Sequence, residues 1–148
     1  MREGAIGSHC LTGLILAVSL LTFACAANQP TPSGNGPTMA ANELAAISQL
    51  RAIASAETTY QTTTGGGSYG TLKQLIDAQS INPQIGTGQN RGYKFEVRVT
   101  SGSSYEALAT PLQYGLTGLK SYYVNSSSSA IHVADKKGAE ATASDPEL

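Results

Sequence analysis

An α+β fold is predicted by three features of this chain. One long early segment carries a continuous apolar helical face, a later segment switches to strict two-residue alternation, and short Ser- and Gly-rich turns separate the stretches after the switch. The predicted architecture packs a helix at about 40–62 on one face of a four-stranded antiparallel sheet at about 93–134, with a short second helix at about 71–78. A chain of 148 residues has room for one such domain.

At ~100° per residue, Ala46, Ile47, Leu50, Ile53 and Ala54 share one broad face, and Ser48, Arg51, Ala52 and Ser55 lie opposite. Alanine richness favours the helix. Thr58 to Thr64 followed by Gly65-Gly66-Gly67 ends it, with Tyr60 expected in the core. Leu72, Leu75 and Ile76 anchor the second helix, with Ser68 or Thr71 as its cap. Ser80 to Gly92 holds Pro83, Gly86 and Gly88 and reads as a loop pinned by Ile81 and Ile85. Tyr93, Phe95, Val97 and Val99 then alternate with Lys94, Glu96, Arg98 and Thr100, the pattern of a half-buried strand. Ser101-Gly102-Ser103 turns the chain into a strand at about 104–110, closed by Pro111. A loop bearing Gly115 and Gly118 leads to a third strand at about 120–125, and the serine run to a fourth at about 130–134. Lys136-Lys137-Gly138 and Pro146 give residues 136–148 the composition of a disordered tail.

Charged residues make up 13% of the chain, about half the usual share of roughly 25%. With a formal charge of −1 and a pI near 6.1 it has no electrostatic footprint for nucleic acid. Gly, Tyr and runs of Ser and Thr take the place of charge, as in exported surface proteins.

The N-terminus fits export. Met1-Arg2-Glu3 precedes an apolar run from Leu11 to Phe23, within the roughly 7–15 residues of a signal-peptide core and short of the ~20 that span a bilayer. Two processing sites overlap there. Leu21-Thr22-Phe23-Ala24-Cys25 resembles a bacterial lipobox that makes Cys25 the lipidated N-terminus, whereas Ala24-Cys25-Ala26 satisfies A-x-A with cleavage before Ala27. The first gives a lipid-anchored protein of the outer membrane, periplasm or cell surface, the second a secreted one. Cys10 lies inside the signal, so no disulfide forms within the mature chain. Residues 26–38, with Pro30, Pro32, Gly34, Gly36 and Pro37, read as a flexible tether. The expected organisation is therefore signal 1–25, tether 26–38, folded domain 39–135 and tail 136–148.

The order of several segments resembles the soluble head of type IV pilin-like proteins and type II secretion pseudopilins. They are Asn42 to Arg51 with Ala56-Glu57-Thr58-Thr59-Tyr60, Tyr69 to Leu75, Ile81-Asn82-Pro83, Gly92-Tyr93-Lys94-Phe95, Ala109-Thr110-Pro111 and Tyr122-Tyr123-Val124. The resemblance covers about residues 40–135. It implies a non-enzymatic structural or interaction role with type IV pili or a pseudopilus, and pilin or pseudopilin subunits as protein partners, including a short stem pilin. The N-terminus departs from that family: no glycine cleavage site followed by Phe-Thr-Leu-Ile-Glu is present, the tether interrupts the stem, and the C-terminal disulfide loop of many pilins is missing. An envelope lipoprotein using the same fold to bind a protein or glycan is the alternative.

No catalytic, metal or cofactor residues are expected. Gly65, Gly67 and Gly70 match G-x-G-x-x-G but follow a helix rather than a strand, which removes the dinucleotide reading. His132 has no second His or Cys and reads as an exposed strand residue. Glu43 and Glu57 stand nearly four turns apart, about 21 Å at 1.5 Å per residue, too far for an acid/base pair. Both are expected to be solvated or paired, with partner docking as the functional alternative. No serine has a nucleophile elbow, and Asn125-Ser126-Ser127, a formal glycosylation sequon, reads as an exposed turn. Adjacent Tyr122 and Tyr123 face opposite sides of a strand, so one of them is expected on the surface as an aromatic contact. With Cys25 for lipidation, the interaction candidates are Glu43 and Leu44 at the helix start, and Tyr122 and Tyr123.

Overall fold

The computed structural model describes residues 36–148; the expected signal peptide, Cys25 and most of the tether lie outside the described residues. The first helix, α1, runs from Gly36 to Thr62 and so takes in the end of the expected tether. Pro37 is compatible with this early start because the first helical N–H groups have no intrahelical partner to lose. Ala46, Ile47, Leu50, Ile53, Ala56, Glu57 and Tyr60 form its buried stripe, while Ser48, Arg51, Ala52 and Ser55 are exposed. Near the C-terminal end, the Thr58, Thr59 and Thr62 hydroxyls donate to carbonyls four residues back at 3.0–3.1 Å, so the threonine run stays helical. Termination comes at the glycines: Gly65 N–H donates to Tyr60 O, and Gly66 and Gly67 take φ of 58° and 92°.

Helix α2 (Leu72–Asp77) starts in a capping box between Thr71 and Gln74. Asn82 caps a one-turn helix, α3 (Pro83–Gly86), and a two-residue strand, β1 (Gln89–Asn90), follows. Both fall in the segment expected to be loop; Ile81 and Ile85 are buried there as expected. The other strands are β2 (Tyr93–Ser101), β3 (Ser104–Pro111), β4 (Ser121–Asn125) and β5 (Ser128–Ala134). The sheet thus has five strands in the order β1-β2-β3-β4-β5, all antiparallel, rather than four. Two residues are too few to show alternation, which is why β1 is not visible as a pattern.

Register assigns the faces. Phe95 pairs with Ala109, Val97 with Ala107, Ala109 with Tyr122 and Ala107 with Val124. This face, together with Tyr93 and Ile131, forms one core with α1, which lies across β3, β4 and β5. Ala107 and Ala109, both fully buried, offer only methyl groups beneath the helix and let it approach closely. The second face carries Leu108 paired with Tyr123, and Tyr123 paired with His132.

Residues 135–148 cover that second face, where a disordered tail was expected. Ala141 is 1% exposed and packs with Leu108 and Tyr123. Buried Ser121 donates its hydroxyl to Ala139 O at 2.6 Å. Val133 N–H donates to Pro146 O and Leu148 N–H to Ile131 O, both at 2.8 Å, so the end of the chain pairs along β5. Arg98 holds Glu140 through two bonds of 2.6 and 2.9 Å, and Lys136 pairs with Asp145 at 2.7 Å. Lysine and glycine therefore mark a turn into a strap rather than the loss of order.

Two stability outcomes follow. Leu50→Ala removes a fully buried side chain and is expected to cost about 2–5 kcal/mol, while Ser48→Ala on the exposed face should stay within about 0.5 kcal/mol. Urea melts of equal midpoint would mean the buried stripe is misassigned. Ala141→Asp puts an unpaired charge under the strap. It should release the strap and speed hydrogen exchange at the Val133 and Leu148 amides, leaving the amides of α1 protected. Unchanged exchange at those two amides would show that the strap does not depend on Ala141.

Candidate functional site

A cleft of about 290 Å³ lies between α1 and the β4–β5 hairpin. Its apolar floor is Tyr105, Val124 and Ile131, and its rim carries Arg51, Ser55, Thr58 and the serines of the hairpin. Tyr69 reaches it from the loop after α1, where its N–H donates to Gly102 O at 2.9 Å, and it meets Tyr105 edge-on with ring centroids 4.8 Å apart. The β4–β5 turn is built by Asn125, whose Oδ1 accepts the Ser127 and Ser128 amides at 2.9 and 3.0 Å. Its Nδ2 donates to the Tyr123 hydroxyl, so both ends of the sequon asparagine serve the fold. An aromatic pair, hydroxyls and one guanidinium suit the binding of a polar ligand with a flat or anionic group. Among the lining residues no carboxylate or histidine stands ready to activate a serine hydroxyl.

Glu57 lies behind this cleft, where the expectation had it solvated or paired. It is fully buried. Oε2 accepts the Gly70 N–H at 2.9 Å, and Oε1 has no hydrogen-bond partner. Burial pushes its pKa up to about 7, against the opposing pull of the Gly70 amide. Burial and the nearby Glu57 carboxylate also push the Tyr105 hydroxyl up to about 12. The sequence signal was available: Glu57 continues the three- and four-residue spacing of Leu50, Ile53 and Tyr60, which places it on the stripe and not at its border.

The four interaction candidates separate. Glu43 Oε1 accepts the Leu119 and Lys120 amides at 2.9 and 3.3 Å, so it clasps the β3–β4 connection to α1 instead of presenting a free charge. Its carboxylate stands beside Tyr93 and Tyr122 and, after burial, helps push both hydroxyls above their ordinary range. Leu44 is 66% exposed, the largest exposure among the large apolar side chains described. Tyr122 and Tyr123 do face opposite sides, yet both are buried: Tyr122 under α1, Tyr123 under the C-terminal strap. Neither offers the aromatic surface expected of the pair. His132 is buried as well, with Nδ1 2.7 Å from Asp145 O and its ring edge-on to Tyr123. The structure brings none of these four into the cleft; its own Tyr69 and Arg51 had no pattern to distinguish them.

Glu57 gives a pH dependence with a definite sign. Its folded pKa lies above the ordinary 4.5, so the folded state binds the proton more tightly. Its stabilising contribution is complete below about 4.5 and is lost as pH rises through about 7. That loss is on the order of 3 kcal/mol. Glu57→Gln, which keeps an acceptor for Gly70, is expected to flatten this part of the profile in urea melts from acid to mildly alkaline pH. Equal profiles for the two proteins would remove Glu57 as the cause.

The chain matches no protein-family model, and no curated protein or solved structure matches it.

Proposed function

We propose that this chain is a non-enzymatic, exported pilin-like interaction head of the bacterial cell envelope, associated with type IV pili or a type II secretion pseudopilus. The single observation that carries the reading is a long N-terminal helix laid across an antiparallel sheet, with its first turns bearing the exposed Leu44. The segment order that resembles pilin heads and the export-type N-terminus ending at Cys25 support it. In this reading Cys25 carries the lipid anchor, residues 26–35 join it to α1, and pilin-type subunits, a short stem pilin among them, are the partners. A second reading, an envelope lipoprotein that binds a protein or glycan ligand, is favoured by the cleft with its Tyr69–Tyr105 pair.

Cys25→Ser is expected to move the protein from the detergent phase to the aqueous phase; wild type and variant both fully aqueous would mean ordinary secretion. For assembly, Leu44→Lys is the clean probe, because reversing Glu43 would also break its bonds to Leu119 and Lys120. The lysine variant should vanish from sheared surface filaments with an unchanged circular dichroism spectrum. Normal recovery of the variant, or absence of the wild type from filaments, would remove the assembly role and leave the ligand-binding reading.

A further inference from the structure

Three of the large exposed apolar side chains lie on one segment, the β3–β4 connection. Leu112, Leu116 and Leu119 of the β3–β4 connection are 45%, 52% and 39% exposed. α1 holds this connection directly. Asn42 Nδ2 donates to Thr117 O at 3.0 Å, and Glu43 accepts the Leu119 and Lys120 amides.

The leucines are not on a slack loop. Leu116 and Thr117 N–H groups donate to Gln113 O, Gly115 N–H to Gly118 O, and Gln113 N–H to the Thr117 hydroxyl, all at 2.9–3.1 Å. Buried Tyr93 donates its hydroxyl to Lys120 O from beneath at 2.8 Å. A backbone whose polar groups are satisfied internally is holding its apolar side chains outward.

Two cations border the leucines. Lys120 follows Leu119 and is exposed. Arg91, also exposed, precedes Gly92, a residue that packs closely on Thr117 and Asn42. Neither forms an ion pair among the described residues. Glu43 is engaged by backbone amides, and Asp135 sits at the edge as acceptor for the Tyr114 hydroxyl. Exposed leucines with an unpaired Lys and an unpaired Arg nearby fit the boundary of an anionic lipid leaflet, with the apolar groups at the acyl boundary and the cations over phosphates.

We infer that this connection is a bilayer-seating surface: Leu112, Leu116 and Leu119 enter the headgroup boundary of an anionic membrane, and Arg91 and Lys120 bind its phosphates. The inference rests on the lipid-anchored reading for what keeps a membrane within reach. Residues 26–35 span at most about 36 Å fully extended, so an acylated Cys25 would hold the start of α1 close to the surface. Anchoring at that distance gives a high local lipid concentration, and a weak seat then suffices to set orientation. From Glu43, which holds the connection, to Thr58 α1 rises about 22 Å, so a head seated with α1 upright would hold its cleft off the membrane.

The test uses the full chain reconstituted in phosphatidylcholine vesicles with and without phosphatidylglycerol. An environment-sensitive fluorophore is placed on Leu116→Cys or, at the hairpin end, on Ser129→Cys, in the processed chain whose Cys25 thiol is acylated, so that the introduced cysteine is its one free thiol. Brominated acyl chains are expected to quench the label at position 116 to roughly half in anionic vesicles and to leave the label at 129 unaffected. Arg91→Gln with Lys120→Gln should abolish the dependence on phosphatidylglycerol. No quenching at 116, or equal quenching at 116 and 129, overturns the seat. Detergent partitioning of wild type and Cys25→Ser reports the anchor separately: an anchored chain without quenching at 116 loses only the seat, and quenching without an anchor loses only the anchoring reading. Self-association in size-exclusion chromatography that Leu112→Ser with Leu116→Ser removes would assign the connection to a second copy and also overturn the proposal.

Discussion

A sheet with its helix on one side must dispose of its other face, and that constraint governs this protein. β4 presents Tyr122 to α1 and Tyr123 to the opposite side, where Leu108 adjoins it. Neither face can be left to water without exposing a contiguous apolar surface. The cover comes from the chain's own C-terminus, which lays Ala141 over Leu108 and Tyr123 and pairs its last residues along β5. The same residues thus close the second face and occupy the outer edge of β5, which would otherwise offer unpaired backbone groups to another chain. The Arg98–Glu140 pair is 42% exposed on both sides and contributes little alone. The hydroxyl of Ser121 and the backbone of β5 determine where the strap lies.

The parts legible in the sequence are those with a period. Leu50 and Ile53 on a helical stripe, and Tyr93 and Phe95 on a strand, assign buried faces because wrong placement of either set would expose a whole row of apolar side chains. What escaped lacks a period or depends on distant contacts. α3 and β1 are too short for alternation or amphipathicity to register. The strap is polar in composition, with one small residue, Ala141, at its buried point, so nothing local marks it as ordered. Alternation correctly separated Tyr122 from Tyr123; the error lay in treating the second face as solvent. The cleft was invisible for a related reason: it joins Arg51 of α1, Tyr69 of a loop and the β4–β5 turn, three segments brought together only by tertiary structure.

The two ends of α1 carry different chemistry. At its start, Asn42 and Glu43 fasten the β3–β4 connection with side-chain bonds, and three leucines of that connection stay exposed. Towards its other end, Arg51, Ser55 and Thr58 face a cleft rimmed by hydroxyls. A low overall charge makes this division more consequential, since few ionic groups compete with the leucines at one end or the tyrosines at the other.

Glu57 connects that cleft to the core. The loop from Gly65 to Thr71 has to leave α1 sharply and return to deliver Tyr69 to Tyr105. Two backbone amides hang it in place: Tyr69 N–H donates to Gly102 O, and Gly70 N–H to the Glu57 side chain. The Gly70 amide is buried, so losing its acceptor would leave an unsatisfied donor beside the Tyr60 ring. A carboxylate there costs desolvation, visible in its raised pKa and in the unpartnered Oε1. Its second acceptor makes no bond to the loop, so the position uses only one of the two oxygens it buries. A hydroxyl acceptor would be too short to span from the α1 backbone into the loop, and an apolar side chain would accept nothing. Reach and an acceptor oxygen therefore account for a carboxyl side chain on the apolar stripe, and they tie the shape of the cleft wall to a single side chain in the core.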